Sequence, residues 1–477
     1  MHQLLILLPF LSIIILNLPF KSILRKLAFL FGVSLCLFQI AFVFFPALRF
    51  SSAQFELLSS FLKFNLLVDN LTLVMLLCIG IVSFVSLLAA KRLIPEERAL
   101  FNFTNVLIIA LAGLNGIVMV KDIFSLYVFL EITAVASFIL IVLHKDIFAF
   151  EGAFKYLILS TIATTLLLSS IALFLLVSGS TEYSAISAGL KNSPNSHIMM
   201  LAIGLFLSGV FIKAGLMPFH GWVPDTYSSA PAPVSIFLAG IVTKTVGVYT
   251  LIRIVTTVTG FTAPIRNVLL FVGAFTIVIG AFAALGQNDF KRMLSYSSIS
   301  QVGYIVLGLG SGTMLGVAGA AFHLFNHAIF KSLLFVNAAS VESATGLRDM
   351  NKMSGLSARM PLTGVSSCLA SLSTAGVPPL SGFWSKLVII VALWMSGRRV
   401  YALIAVLASV VTLAYFLSMQ RRVFFGKLGV EFANIKEQGF ALGFAAVLLS
   451  LIVIGVGLFF PFVLNSFILP VGNIFGG

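Results

Sequence analysis

Glu131, Lys213, Lys244 and Lys386 each stand well inside a long apolar run of a 477-residue chain. An ionisable group at the centre of a bilayer costs about 2.5–3.5 kcal/mol on insertion scales, so its retention points to function. One acid and three bases are the residue types that pass protons or hold cations. Lysine suits a reversible carrier, because its charge responds to burial and to a neighbouring carboxylate, whereas arginine stays protonated. A second group, His323, His327 and Lys331, is spaced i, i+4, i+8 and shares one helix face. Histidine titrates at about pH 6.5, so two on one face can relay a proton at neutral pH. Paired histidines at this spacing can also bind zinc, but no acidic or cysteine ligand accompanies them, and the relay is the preferred reading. His220 and Asp225 flank a proline-rich break. They read either as access groups linking the interior to the inner surface or as loop residues that satisfy exposed backbone.

The elements that must position these groups are spanning helices. The chain is 60% hydrophobic and 9% charged, with a mean hydropathy of +1.13, far from the roughly 25% charged content of soluble domains. A span needs about 20 mostly apolar residues, and apolar runs recur along the whole length with short polar breaks. We read an all-α polytopic membrane protein with fourteen transmembrane helices, centred near Ile13, Phe38, Leu77, Leu111, Thr133, Leu166, Phe206, Thr245, Ile277, Ile305, Phe325, Leu369, Leu413 and Ile452. The run Leu4 to Leu18 has no positive segment before it and no small-residue cleavage site after it, so it reads as the first span rather than a removable signal. Glu131 falls about eight residues into the run from Ile123, roughly 12 Å from that helix end. Lys244 is central to the run Val234 to Ile252. Neither can easily snorkel to water.

The charge distribution orients the helices. Of the 29 basic residues, seventeen, Lys291 among them, fall in the loops of one side. Eight, including Arg49 and Arg253, fall on the other, and four, Lys213, Lys244, Lys331 and Lys386, lie within spans. By the positive-inside rule both termini lie outside. The net charge of +14 is therefore largely a topology signal and does not point to nucleic acid. Cys36, Cys78 and Cys368 are scattered in apolar runs and imply neither disulfide nor metal. Asp69 opens the third span as a structural cap.

Two spans are interrupted, the seventh at Ala214-Gly-Leu-Met-Pro-Phe-His-Gly221 and the twelfth at Ala375-Gly-Val-Pro-Pro-Leu-Ser-Gly382. A shift of 161 residues superposes Ala214, Gly215, Pro218 and Gly221 on Ala375, Gly376, Pro379 and Gly382. Matched broken helices in two halves are a sequence pointer to a transport site. With weaker echoes between Phe154-Lys155 and Phe330-Lys331, and between Tyr127 and Tyr296, they imply two copies of a five-helix unit. Five is odd, so the copies are inverted repeats. The single membrane domain of residues 1–477 then divides into spans 1–3 (1–100), a first repeat of spans 4–8 (101–255), a second of spans 9–13 (264–422), and span 14 (440–465).

The stretch Lys213 to Asp225, with Ser229-Ala-Pro-Ala-Pro-Val-Ser235 and Ala239-Gly-Ile-Val-Thr-Lys-Thr-Val-Gly247, resembles the signature of the antiporter-like subunits of respiratory complex I, Mrp cation/proton antiporters and membrane-bound hydrogenases. The resemblance continues through Asp289 to Tyr304, His323 to Lys331 and Gly376 to Phe383, and covers essentially the whole chain. It implies the same fourteen helices and two inverted repeats. It also implies roles: Glu131 as the acid of span five, Lys213 as its partner, Lys244 as the central relay, His323 and His327 as the relay histidines of span eleven, and Lys386 as the exit group. Lysine at 386 is unlike the M-type complex I subunit, which carries glutamate there. The chain also stops soon after its last span, without a long lateral helix, so it resembles the D-type Mrp subunit and its equivalents in hydrogenase or sulfur-reducing complexes.

The resemblance implies a proton-translocating subunit, with Na+/H+ antiport as a variant, in the inner membrane of a prokaryote. Its partners would be other membrane subunits, with peripheral iron–sulfur or nickel–iron subunits if the parent complex is a redox pump. No Walker loop, GxGxxG fingerprint or CxxC cluster is present, so no cofactor is expected and any driving reaction belongs to another chain. A solitary solute transporter and a non-conducting scaffold are the competing classes.

Overall fold

The computed structural model describes residues 2–19, 21–44, 52–57, 62–192 and 196–472. Arg49, assigned above to an outer loop, lies outside the described residues. Apolar runs become helices because lipid leaves no other partner for their backbone groups, and their ends are set by local chemistry. Asp69, Asp122 and Asp289 cap the helices Asn70–Leu93, Ile123–Ile141 and Phe290–Gly310 by accepting from the amides of Thr72, Ser125 and Arg292. Gly179 and Gly346, in the left-handed conformation, end Ile147–Ser178 and Met314–Thr345.

Among the described residues, eleven helices are long and apolar enough to cross a membrane. Every one of the fourteen expected centres falls in a helix, but Leu4–Leu16, Pro361–Ala375 and Ser381–Met395 are short, and Phe290–Gly310 carries four serines and a glutamine through its middle. One element is not helical. Ser52–Leu57 and Leu62–Leu67 pair as an antiparallel hairpin, Ser52 opposite Leu67, and Leu66 forms a bridge to Val120. The all-α reading missed it because two strands of six residues between long helices carry little periodic signal.

Burial separates the helices into a centre and a rim. The helix Ala232–Thr259, which carries Lys244, is completely buried over its apolar window, and Met314–Thr345, which carries both relay histidines, is 94% buried. Ile147–Ser178 and Arg399–Val423 are only 28% and 33% buried and turn apolar side chains outward. Lys244, Lys331 and the two histidines thus sit on the most buried of the spanning helices, whereas Glu131 stands on a helix only 50% buried.

The two broken helices end alike. His197–Ala214 closes on Gly215 (φ 66°) and Pro361–Ala375 on Gly376 (φ 90°). In the first, the amides of Gly215 and Leu216 donate to the carbonyls of Ile212 and Phe211; in the second, those of Gly376 and Val377 donate to Ser373 and Leu372. The hydrogen bonds match at the same shift of 161 residues, a Schellman motif at each break. Positive φ requires glycine at both positions.

The helix of Lys244 meets the helix of Lys213 with no side chain between them, since a Cβ added to Gly247 would collide with the Ala214 backbone. Small residues of this kind permit close backbone approach between membrane helices. Gly247→Leu should therefore force the two helices apart. We expect a lower thermal unfolding temperature in detergent, equivalent to roughly 1–3 kcal/mol or more, as for an overpacked core; an unchanged transition would contradict the contact.

Candidate functional site

The site begins at the helix Ile123–Ile141. Glu131 projects from its middle toward Ile147–Ser178, where the Thr164 hydroxyl donates to Oε1 at 2.5 Å. The Lys213 ammonium, buried in the last turn before the first break, donates to the same oxygen at 3.3 Å and to the Ser160 hydroxyl at 3.3 Å. The structure thus brings Glu131 and Lys213 into an ion pair. The pair is unequal: the lysine side chain is 3% exposed and that of Glu131 32%.

A small cavity of about 10 Å³, lined by Tyr156, Ser160, Lys213, Trp222, Thr243 and Val246, continues from this pair to the turn that carries Lys244. It has room for about one water. Lys244 opens a π-helical stretch, Lys244–Tyr249, that follows a second one, Leu238–Val242. Such wider turns recur at functional sites. Its ammonium, fully buried, donates to the Ala239 carbonyl of its own helix and, at 3.0 Å, to the Ser298 hydroxyl. Ser298 also lies 3.3 Å from His327 Nε2. One hydroxyl therefore joins the central lysine to the histidine helix.

His327 and His323 stack nearly parallel, ring centroids 6.2 Å apart. His323 Nδ1 lies 2.9 Å from the Ser385 hydroxyl, and Ser385 precedes Lys386. The Lys386 ammonium sits 4.4 Å from the centroid of the Tyr304 ring and donates to the Ala375 carbonyl at 3.3 Å. That carbonyl is at the open C-terminal end of the second broken helix, where a cation is favoured by the helix dipole. Lys331 takes a side branch: it donates to the Leu294 carbonyl at 3.1 Å and to the Ser297 hydroxyl at 2.8 Å, and Ser297 meets the Tyr415 hydroxyl at 2.7 Å. The face shared by His323, His327 and Lys331 is thus split between two partners.

The two candidate access residues behave differently from the rest. Asp225 bridges two cations, Lys155 at 2.6 Å and Arg292 at 2.5 Å, so it ties three helices together. His220 is held by its own loop, Nδ1 3.2 Å from the Pro218 carbonyl, with its ring against Tyr296. No group of three or more metal-ligating side chains occurs among the described residues.

Residues 120–412 match the family described as NADH:quinone oxidoreductase/Mrp antiporter, TM. The chain belongs to this family. The NADH-quinone oxidoreductase subunit N of Desulforudis audaxviator is 38% identical to it over 327 residues, 68% of this chain and 64% of that one. The D-type subunit of the Na(+)/H(+) antiporter of Alkalihalophilus pseudofirmus is 32% identical over 396 residues, 82% of this chain and 80% of that one. Among solved structures, a chain of the membrane-bound sulfane sulfur reductase, an archaeal respiratory membrane complex, superposes with a TM-score of 0.89 at 28% identity, covering 99% and 97% of the two chains. A chain of the Mrp complex from Dietzia sp. shares the fold at TM-score 0.90 and 22% identity, covering 100% and 97%.

Two ion pairs with a buried cation escaped the sequence reading of this antiporter-family chain. Arg253, assigned above to an outer loop, is 3% exposed, because its helix runs on to Thr259. It pairs with Asp69 through two hydrogen bonds of 2.5 and 2.9 Å, and donates to Thr72 and Tyr249 as well. Lys291, assigned to an inner loop, is buried and pairs with Glu342 at 2.6 Å. The serines that link the lysines were legible only as the run Ser295-Tyr-Ser-Ser-Ile-Ser300, with hydroxyls too dense for a simple packing span. Asp69→Asn keeps the cap acceptor and leaves Arg253 charged and buried without its carboxylate, which should cost about 3–5 kcal/mol. Adding Arg253→Met should recover part of that loss in thermal unfolding, and no recovery would mean that the pair is not the cause.

Proposed function

We propose that this chain is a proton-translocating membrane subunit of a multisubunit complex, and that Glu131, Lys213, Lys244, His327, His323 and Lys386 form one lateral proton path with Lys331 on a side branch. The observation that carries this reading is continuity. An ion pair joins Glu131 to Lys213, a water-sized cavity lies between Lys213 and the turn that carries Lys244, the Ser298 hydroxyl joins Lys244 to His327, the two imidazoles stand 6.2 Å apart, and the Ser385 hydroxyl meets His323 one residue before Lys386. A solute carrier needs a substrate-sized pocket at this depth, whereas here the polar groups form a file.

The Glu131 and Lys213 pair is the control point. While paired, the carboxylate holds the ammonium in place; when the pair loosens, the lysine charge moves toward Lys244 and repels the proton there along Ser298 to the histidines. Lys386, held only by a carbonyl and a ring face, is the releasing end. Asp225 belongs to the scaffold around the first break, whereas His220, partly exposed, keeps the reading of an access group.

Fourteen spans arranged as two inverted five-helix repeats, with both termini outside, fit this path. The identical capping bonds at Gly215 and Gly376 support the repeats, and the loop charges support the orientation. Other membrane subunits fit the position of Glu131, whose side chain is one-third exposed midway along a span, where an acid is disfavoured against lipid and a neighbouring chain would cover it. The relatives named for NADH-quinone oxidoreductase, for Na(+)/H(+) antiport and for sulfane sulfur reduction are all consistent with such a subunit. We place the chain in a prokaryotic cell membrane, carrying H+, with Na+ exchange dependent on the parent assembly. Copurifying iron–sulfur or nickel–iron chains would mark a redox pump, and small membrane partners alone an Mrp-type antiporter.

Glu131→Gln and Lys244→Ala should each abolish proton translocation in vesicles containing the complex, while the subunits still assemble on a native gel. Normal translocation by both variants would falsify the path.

A further inference from the structure

Two partly exposed side chains interrupt otherwise buried stretches of the central helices. Between Gly316 and Val341 every residue but Phe325 is buried, and between Leu71 and Ser83 every residue but Leu77. Both line one cavity of about 190 Å³, set between the helices Asn70–Leu93 and Met314–Thr345, the end of Lys21–Val43 and the stretch Phe460–Gly472. Among the described residues that line it, only Asn70 and Ser466 are polar. The others, Val43, Leu73, Val74 and Phe467 among them, present hydrocarbon.

The space runs inward from a helix start. Asn70 is the first residue of its helix, and Leu77 stands about two turns further, roughly 10 Å along the axis. The mouth is apolar too: Phe44 is 56% exposed, and Phe462, 64% exposed, packs on the lining Phe467. Rings turned outward in this way are stable against hydrocarbon and disfavoured against water. Water does not suit the interior either, since a bound water needs about two to four polar partners and apolar cavities stay dry. Left empty, the lining would forfeit its dispersion contacts. The cavity follows the helix for about two turns, more than a single side chain of a neighbouring subunit can fill.

We infer that this cavity binds one acyl chain of a membrane phospholipid, its ester end beside Asn70 and the exposed Ser466 and its methyl end against Leu77 and Phe325. Ligand and site then share one polarity, with an amide and a hydroxyl where the lipid carries oxygen and hydrocarbon beyond. The lipid comes from the leaflet that meets Asn70, the outer one in the orientation proposed above. No member of the proton path lines the cavity, so the site stands whether or not the path does. Phe325 is nonetheless two residues from both His323 and His327, on the opposite face of their helix. The bound chain therefore backs the helix that carries the two imidazoles.

The test uses the assembled complex in vesicles of phosphatidylethanolamine and phosphatidylglycerol, with a trace of phosphatidylethanolamine carrying a diazirine at the methyl end of one chain. After illumination, peptide mass spectrometry should find the label on Phe325 and Leu77 as well as on the lipid-facing helix Arg399–Val423. Moving the diazirine next to the ester should shift the label to the mouth, at Phe44 and Ser466, and remove it from Phe325. Leu77→Trp places a larger ring in the space and should lose the label at Phe325 while keeping it on Arg399–Val423. A wild-type complex labelled on Arg399–Val423 but not on Phe325 or Leu77 overturns the inference, whether a neighbouring subunit, another part of this chain or nothing fills the space. Undiminished labelling of Phe325 in an assembled Leu77→Trp variant overturns it too. If that variant fails to assemble, the two positions of the diazirine decide in the wild-type complex, and equal labelling of Phe325 from both excludes an ordered chain.

Discussion

A charge placed where lipid surrounds the protein has to find its partner inside the protein. Much of the architecture follows from that constraint. The two helices with the greatest burial carry Lys244 and the histidine pair, and rim helices with apolar outward faces surround them. Breaks in the seventh and twelfth spans expose backbone carbonyls at membrane depth, and those carbonyls are among the few neutral groups able to hold an ammonium there. Lys386 at the Ala375 carbonyl and Lys244 at the Ala239 carbonyl both use backbone opened by a departure from regular α-helix.

The buried cations fall into two kinds. Arg253 and Lys291 each meet a carboxylate at 2.5–2.6 Å, and Asp225 is clamped between two cations. These pairs lie toward the helix ends and fasten elements to one another. Lys244, Lys331 and Lys386 are different: their hydrogen-bond partners are hydroxyls and carbonyls. A neutral partner tolerates either charge state of a lysine, whereas a carboxylate commits it to one. Lys213, paired to a partly exposed carboxylate at the longer distance of 3.3 Å, stands between the two kinds, which suits a switch.

Much of this was legible in the amino-acid sequence, and the omissions have physical causes. Glu131, Lys213, Lys244 and Lys386 stood out because charge inside an apolar run is rare. The matched breaks stood out because glycine and proline leave a fixed spacing. Arg253 was misassigned because its apolar run ends at Ile252, although the helix continues for another turn and a half with threonine and valine. Asp225 read as either an access group or a loop residue, since pairing with Lys155 and Arg292 across long sequence separations leaves no local trace. The connecting serines were the least visible, because serine in a membrane helix usually bonds to its own backbone, as Ser332 does to Ala328. Which serines turn outward to a lysine depends on how neighbouring helices are rotated.

The hydroxyl links have a consequence for ion choice. A serine accepts one proton and gives up another by turning its O–H about the C–O bond, so a single oxygen suffices for each step and nothing but the proton travels. A sodium ion cannot use such a stepping stone, because shedding its water requires several oxygens arranged around it at once. Between Lys244 and Ser385 the chain offers one hydroxyl at a time, flanked by imidazole rings. On the proposed path, the middle of this subunit selects by mechanism rather than by pore width.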